Sequence, residues 1–184
     1  MVNSINYKEI NTACITKSVK MLKKHYNDLL DPNDYLRDDK GNETSWTPLL
    51  TCCYTEFMEG VDFLLSKNAN PNKKGKDGMF PLLAAAIKEK TSILLTLLKN
   101  GAQVNQIDAK GKTALMLACE VGNTENVIIL LNYNAKIDLK CNHNKTCYDY
   151  AMQSNNFEIK SIIQKFLLES NVKTKDTENK RTKI

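Results

Sequence analysis

A chain of 184 residues has room for one domain with a modest core. Its 42% apolar and 26% charged residues exclude a wholly disordered polymer, and its longest apolar runs, such as VIILL at 127–131, are too short to cross a membrane. The net charge of +5 is modest and does not point to nucleic acid as the partner.

The chain opens on MVNSINYKEI, with Lys8 and Glu9 where a secretory signal needs an apolar core. The expectation is a cytoplasmic or nuclear protein whose six cysteines are reduced thiols, not three disulfides. Over 13–34, Val19, Leu22, Tyr26 and Leu29 recur at helical spacing, while Lys17, Lys20, Lys23 and Lys24 fall largely on the solvent side. This segment reads as a degraded N-terminal cap followed by a long connection, together spanning 1–41.

From residue 42 onward one period governs the chain. Thr47, Phe80, Thr113 and Thr146 stand 33 residues apart, in WTPLLTCC, MFPLLAAA, KTALMLAC and KTCYDYAM. The same spacing recovers Ala69, Ala102 and Ala135, and the pairs Leu64–Leu65, Leu97–Leu98 and Leu130–Leu131. Each unit has the pattern of two short antiparallel helices and a turn. A threonine before proline, as at Thr47–Pro48, supplies an N-cap and then the residue favoured at the first helical position. The small residues Cys52, Ala85, Ala118 and Ala151 share one position and permit close helix approach. Asn68, Gly101 and Asn134 close the apolar second helices with residues that tolerate a left-handed backbone. No unit can bury its own apolar face, so the units must stack.

These motifs resemble the ankyrin repeat family over roughly residues 12–169. The unit 108–140, DAKGKTALMLACEVGNTENVIILLNYNAKID and on, carries the resemblance most closely. The unit 75–107 is nearly as close, and 42–74 lacks the turn glycine. The unit 141–169 has diverged most and reads as a C-terminal cap, with Phe157, Ile159, Ile162, Ile163, Phe166 and Leu167 as its apolar face. The resemblance implies an all-α solenoid of about four to five repeats, caps included. Residues 170–184, polar and lysine-rich, read as a disordered basic tail. The family's histidine after Thr-Pro-Leu is replaced by Leu50, Leu83, Met116 and Asp149, which removes hydroxyl–imidazole bonds and implies lower stability.

Chemistry finds little purchase. Residues 140–147, KCNHNKTC, set Cys141, His143 and Cys147 together, yet a structural zinc site wants four ligands and here there are three. In register, Cys147 occupies the family's proline position, Cys141 matches Asp108, and His143 matches the turn-tip Lys110. No phosphate loop, nucleophile elbow or matched nucleophile and base is present, so no cofactor, small-molecule substrate or catalysis is expected.

The resemblance implies a concave face, built from turn tips and the exposed edges of first helices, that binds another protein. By register it offers Trp46 and Tyr54, then Lys76, Asp77, Met79 and Lys88, then Lys110, Lys112 and Glu120, and finally His143 and Lys145. Trp46, the single tryptophan, reads either as a binding anchor or as a cover for the 31–45 connection. Lys73, Lys74, Lys76, Lys110, Lys112 and Lys145 form a row along the turns, which favours an acidic partner surface or simply keeps the array soluble. Asn72 and Asn105, each eight residues after Leu64 or Leu97, match a loop asparagine that similar repeats present to an oxygen-dependent asparaginyl hydroxylase. The function expected is that of an adaptor, targeting subunit or stoichiometric inhibitor, monomeric or in a hetero-complex. The alternatives are a metal or enzymatic site at Cys141, His143 and Cys147, or a nucleic-acid binder using the turn lysines.

Overall fold

The computed structural model describes residues 7–26, 31–38, 40, 42–88, 90–154 and 156–168. The apolar position Leu29 and the segment 170–184 lie outside the described residues. Among those residues ten helices form five antiparallel pairs, with no strand beyond an isolated bridge between Arg37 and Glu43. The pairs are α1 (Tyr7–Ile15) with α2 (Val19–His25), α3 (Pro48–Tyr54) with α4 (Met58–Ser66), α5 (Pro81–Ala86) with α6 (Thr91–Lys99), α7 (Ala114–Val121) with α8 (Thr124–Asn132), and α9 (Cys147–Gln153) with α10 (157–168). Successive first helices α1, α3, α5, α7 and α9 touch in order, as do the second helices α2, α4, α6 and α8. None of the described helices is long and apolar enough to cross a membrane.

Within the 1–41 segment α1 begins at Tyr7, upstream of the helical spacing read over 13–34. The phenol of Tyr7 donates to Asp34 at 2.5 Å and ties α1 to the connection, a contact between residues too far apart to be read from helical spacing.

Local chemistry explains where the helices begin. Thr47 Oγ1 accepts from the Leu50 N–H at 3.3 Å, and Thr113 Oγ1 from Met116 at the same distance. Thr146 goes further. Its hydroxyl accepts from Asp149 N–H, while Asp149 Oδ2 accepts from the Thr146 N–H at 2.7 Å, completing a reciprocal cap. Phe80 starts α5 without any side-chain cap, but its ring is fully buried. At the histidine position, Leu50, Leu83 and Met116 are buried in the core, so the lost polar bond is exchanged for apolar contact.

The second helices end alike. Asn68, Gly101 and Asn134 take φ of 64°, 85° and 62°. The next residue's N–H then reaches back to Leu64, Leu97 or Leu130, at 3.0 Å in each case. This closure satisfies carbonyls that the helix leaves open and turns the chain toward the next unit.

Beyond it, one polar clamp repeats at three interfaces. The carboxamide oxygens of Asn33, Asn72 and Asn105 accept from the backbone N–H groups of Asn70, Gln103 and Lys136 in the following unit, at 2.6, 2.7 and 2.8 Å. The Asn72 amide also donates to Gly101 O at 2.9 Å. Asn72 and Asn105, which match the loop asparagine that similar repeats present to a hydroxylase, are thus engaged in joining repeats.

Phe80 separates family pattern from packing. Phe80→Thr restores the usual capping residue but empties a buried site, so thermal and denaturant unfolding should show a net loss of roughly 2–4 kcal/mol. Thr113→Ala, which deletes a cap and one buried methyl, should cost roughly 1–2 kcal/mol.

Candidate protein-binding face

The turns between units hold the expected face in place. In the third unit, Asp108 Oδ1 accepts from the N–H groups of Lys110 and Lys112 at 2.8 and 2.7 Å. Gly111 adopts φ 73°, and a Cβ there would stand 2.7 Å from the Asn142 side chain of the next turn. The left-handed φ favours glycine, and the backbone of Asn142 and Cys141, 3.1 and 3.2 Å from such a Cβ, adds to that preference. Neighbouring turns are also tied by backbone bonds, Lys76 N–H to Ser45 O and Asn142 N–H to Lys110 O, both at 2.9 Å. The tips therefore keep fixed spacing relative to one another.

Four of the sequence-selected residues meet where the first and second units join. Trp46 is half-buried, its ring edge-on to Tyr54 with centroids 4.8 Å apart. Its indole Nε1 donates to Asp77 Oδ2 at 2.6 Å. Asp77 Oδ1 accepts from the Met79 N–H at 3.0 Å, which closes that turn. The Lys88 ammonium lies over the Tyr54 ring at 4.1 Å. Meanwhile the Trp46 carbonyl accepts from the Leu36 N–H at 2.9 Å, so this residue also anchors the connection before it. Both readings of Trp46 have structural content: its backbone holds the connection and its ring stands on the face.

A second cluster gathers around Tyr150, which sequence reasoning did not select. Lys112 pairs with Glu120 at 2.7 Å and lies 4.7 Å from the Tyr150 ring centre; Lys145 lies 5.8 Å from the same ring. Tyr150 stands where the preceding unit has Leu117; the sequence reading selected Lys112, Glu120 and Lys145 by register but not the aromatic ring that gathers them. Lys110 and His143 stand exposed at their tips.

The lysine row is partly neutralised from within. Lys76 pairs with Glu43 at 2.8 Å, a contact that holds the Glu43 carboxyl below its ordinary range. Lys73 and Lys76 also flank the Tyr35 ring at 5.3 and 4.9 Å, and Lys74 donates to Ile107 O at 2.6 Å. Tyr35 belongs to the connection, outside the repeat register, so nothing in the period announces these contacts.

Comparison with known proteins agrees with this architecture. A family model described as ankyrin repeats (3 copies) matches residues 10–108 and 82–178. The chain belongs to the ankyrin-repeat family. Among its relatives, the human transient receptor potential cation channel subfamily A member 1 is 35% identical over 70% of this chain and 11% of that protein. An ankyrin repeat protein of Acanthamoeba polyphaga mimivirus is 36% identical over 64% of this chain and 18% of its own length. The Drosophila melanogaster ankyrin repeat and KH domain-containing protein mask is 33% identical over 51% of this chain and 2% of its own. The chain thus spans less than a fifth of each of these relatives. Ankyrin repeats are in general protein–protein interaction modules, and the family is in general non-enzymatic.

Within this ankyrin array, Cys141, His143 and Cys147 take separate paths. Cys141 is buried with its sulfur 3.4 Å from the Tyr150 hydroxyl, Cys147 is buried and donates toward Ile137 O, and His143 faces solvent. Among the described residues no three histidine, cysteine or carboxylate side chains gather so as to hold a metal ion. Burial raises the Cys141 thiol, but the Tyr150 hydroxyl, the backbone N–H groups of His143 and Lys145 and the Lys112 charge bring it below its usual range overall. The paired hydroxyl of Tyr150 is raised, chiefly by desolvation and then by its bond to Cys141.

Asp149 beneath this turn gives a pH signature. The Thr146 N–H, and then its hydroxyl, hold the Asp149 carboxyl below its ordinary range. A carboxylate depressed by folding stabilises above its unfolded pKa, and loses that contribution as pH falls through the folded value. Asp149→Ala should therefore lower stability by about 1 kcal/mol near neutral pH, and the difference should close as pH falls below about 4. Melting curves of both chains across that range measure it.

Proposed function

We propose that this chain is a non-enzymatic binding module that engages another protein through the concave face, serving as adaptor, targeting subunit or stoichiometric inhibitor. The observation that carries the reading is the junction of Trp46, Tyr54, Asp77 and Lys88. There an aromatic pair and an ammonium sit exposed or half-exposed on rigidly spaced elements. Tryptophan and tyrosine on a fixed scaffold are typical of binding hot spots, and Lys88 adds a charge beside them. The exposed Lys110 and the Lys145 beside Tyr150 favour a partner with acidic character, mainly by speeding encounter. A cytoplasmic or nuclear setting belongs to the proposal, supported by six buried cysteines that are all free thiols.

Affinity capture from the native cell tests this reading, using the wild-type chain, Trp46→Ala, and the double variant Lys110→Glu/Lys112→Glu. Trp46→Ala should weaken the captured partner by at least ~2 kcal/mol, beyond any fall in melting temperature. A partner held equally by both variants contradicts the concave-face reading. Binding that collapses steeply with salt and ignores Trp46 would instead favour a nucleic-acid ligand.

A further inference from the structure

The concave face is not uniform. Between α1 and the first full unit lies an open groove of about 550 Å3, lined mainly by carbon, with Ile15, Trp46 and Tyr54 on its walls. Ile15 is 56% exposed and Tyr54 39%, so two large side chains leave much of their surface to water at one place. An occupant that covers them gains the ordinary hydrophobic term.

Several polar groups of the groove already have partners. Asp77 receives the Trp46 indole and the Met79 N–H. Thr55 Oγ1 lies 2.9 Å from Thr51 O and 3.1 Å from Cys14 O. Thr44 Oγ1 accepts from the Trp46 N–H, and the Asn11 amide donates to Arg37 O. Those groups offer a hydrogen-bonding ligand little, and an apolar side chain can cover Ile15 and Tyr54 without unpairing them.

The rim supplies a charge. Lys88 lies over the Tyr54 ring and makes no ion pair among the described residues. A ring face holds an ammonium without consuming its hydrogen-bond donors, so Lys88 is positioned and still available to a carboxylate. Its main-chain carbonyl is braced by the side chains of Asn123 and Asn126, at 2.9 and 3.0 Å. The groove is open and runs into the row of turn tips, a shape suited to a chain segment and not to an enclosed small molecule.

We propose that this groove receives a segment of the partner protein that pairs a bulky apolar side chain with a nearby carboxylate. The apolar group covers Ile15, Trp46 and Tyr54, and the carboxylate meets Lys88. This rests on the protein-binding reading above and gives that face a specificity. The part played by α1 means that the N-terminal cap contributes to recognition and does not merely shield the array.

Because Trp46 is the only tryptophan, its emission reports occupancy of the groove directly. Random tryptophan-free peptides of about twelve residues are displayed and selected on the full chain, then resynthesised and titrated against it by Trp46 fluorescence. The selected sequences should pair Leu, Ile, Phe or Met with Asp or Glu within a few residues and should shift the emission to saturation. Ile15→Asp and Lys88→Glu alter exposed or half-exposed side chains and should leave the melting temperature nearly unchanged. Each should weaken those peptides by about ten-fold or more, and selection on the Lys88→Glu chain should replace the acidic residue by Lys or Arg.

Peptides that bind equally to both variants overturn the groove assignment, as does a selection that enriches nothing. The protein-binding reading survives that result if the native partner is still lost with Lys110→Glu/Lys112→Glu. A chain that self-associates until Ile15→Asp makes it monomeric names a second copy as the occupant and overturns the proposal. So does emission that responds to peptide only after residues 1–6 are removed.

Discussion

Cys52, Ala85, Ala118 and Ala151 sit at one equivalent position on α3, α5, α7 and α9, and the array depends on the close contact their small side chains allow between successive first helices. A single pair of helices of seven to nine residues, such as α3 with α4, cannot hide its apolar faces from water. Stacking hides them, and the stack then fixes the turns at regular spacing. The polar clamps from Asn33, Asn72 and Asn105 add direction to what burial alone would leave slippery, because each joins a defined oxygen to a defined N–H one unit away. Binding capacity is therefore a by-product of stability: the elements that cannot stand alone are those that present side chains in a fixed row.

The period of 33 residues made most of this legible, since Thr47, Thr113 and Thr146 do cap their helices and Asn68, Gly101 and Asn134 do turn left-handed. What periodicity carries is backbone and core. It could not show that Phe80 exchanges a cap for a buried ring, because a cap and a core side chain compete for one position and only packing decides between them. It also missed α1 starting at Tyr7, where the deciding contact is with Asp34 across the connection.

The candidate face was legible in its positions and not in its interactions. Trp46, Tyr54, Asp77 and Lys88 come from two units and one register, yet nothing in a linear pattern states that they touch. The lysines teach the same lesson from the other side. Read as a row, they look uniformly available, whereas Lys76 is held by Glu43 and Tyr35, Lys112 by Glu120 and Tyr150, and Lys74 by a carbonyl. Charge on such a surface has to be counted after its internal partners are subtracted. Among the described residues, Lys88 beside the Tyr54 ring, the exposed Lys110 and Lys145 near Tyr150 are lysines of the face that make no ion pair.

Hydrogen exchange on the complex with the captured partner tests the central claim most directly, because it reads every turn and helix end in one experiment. Binding through the concave face predicts slowed exchange at the turn tips 43–46, 76–79, 109–112 and 142–145 and at the C-terminal ends of α3, α5 and α7, with α4, α6 and α8 unchanged. Protection confined to α4, α6 and α8, with the turn tips exchanging as in the free chain, would contradict it.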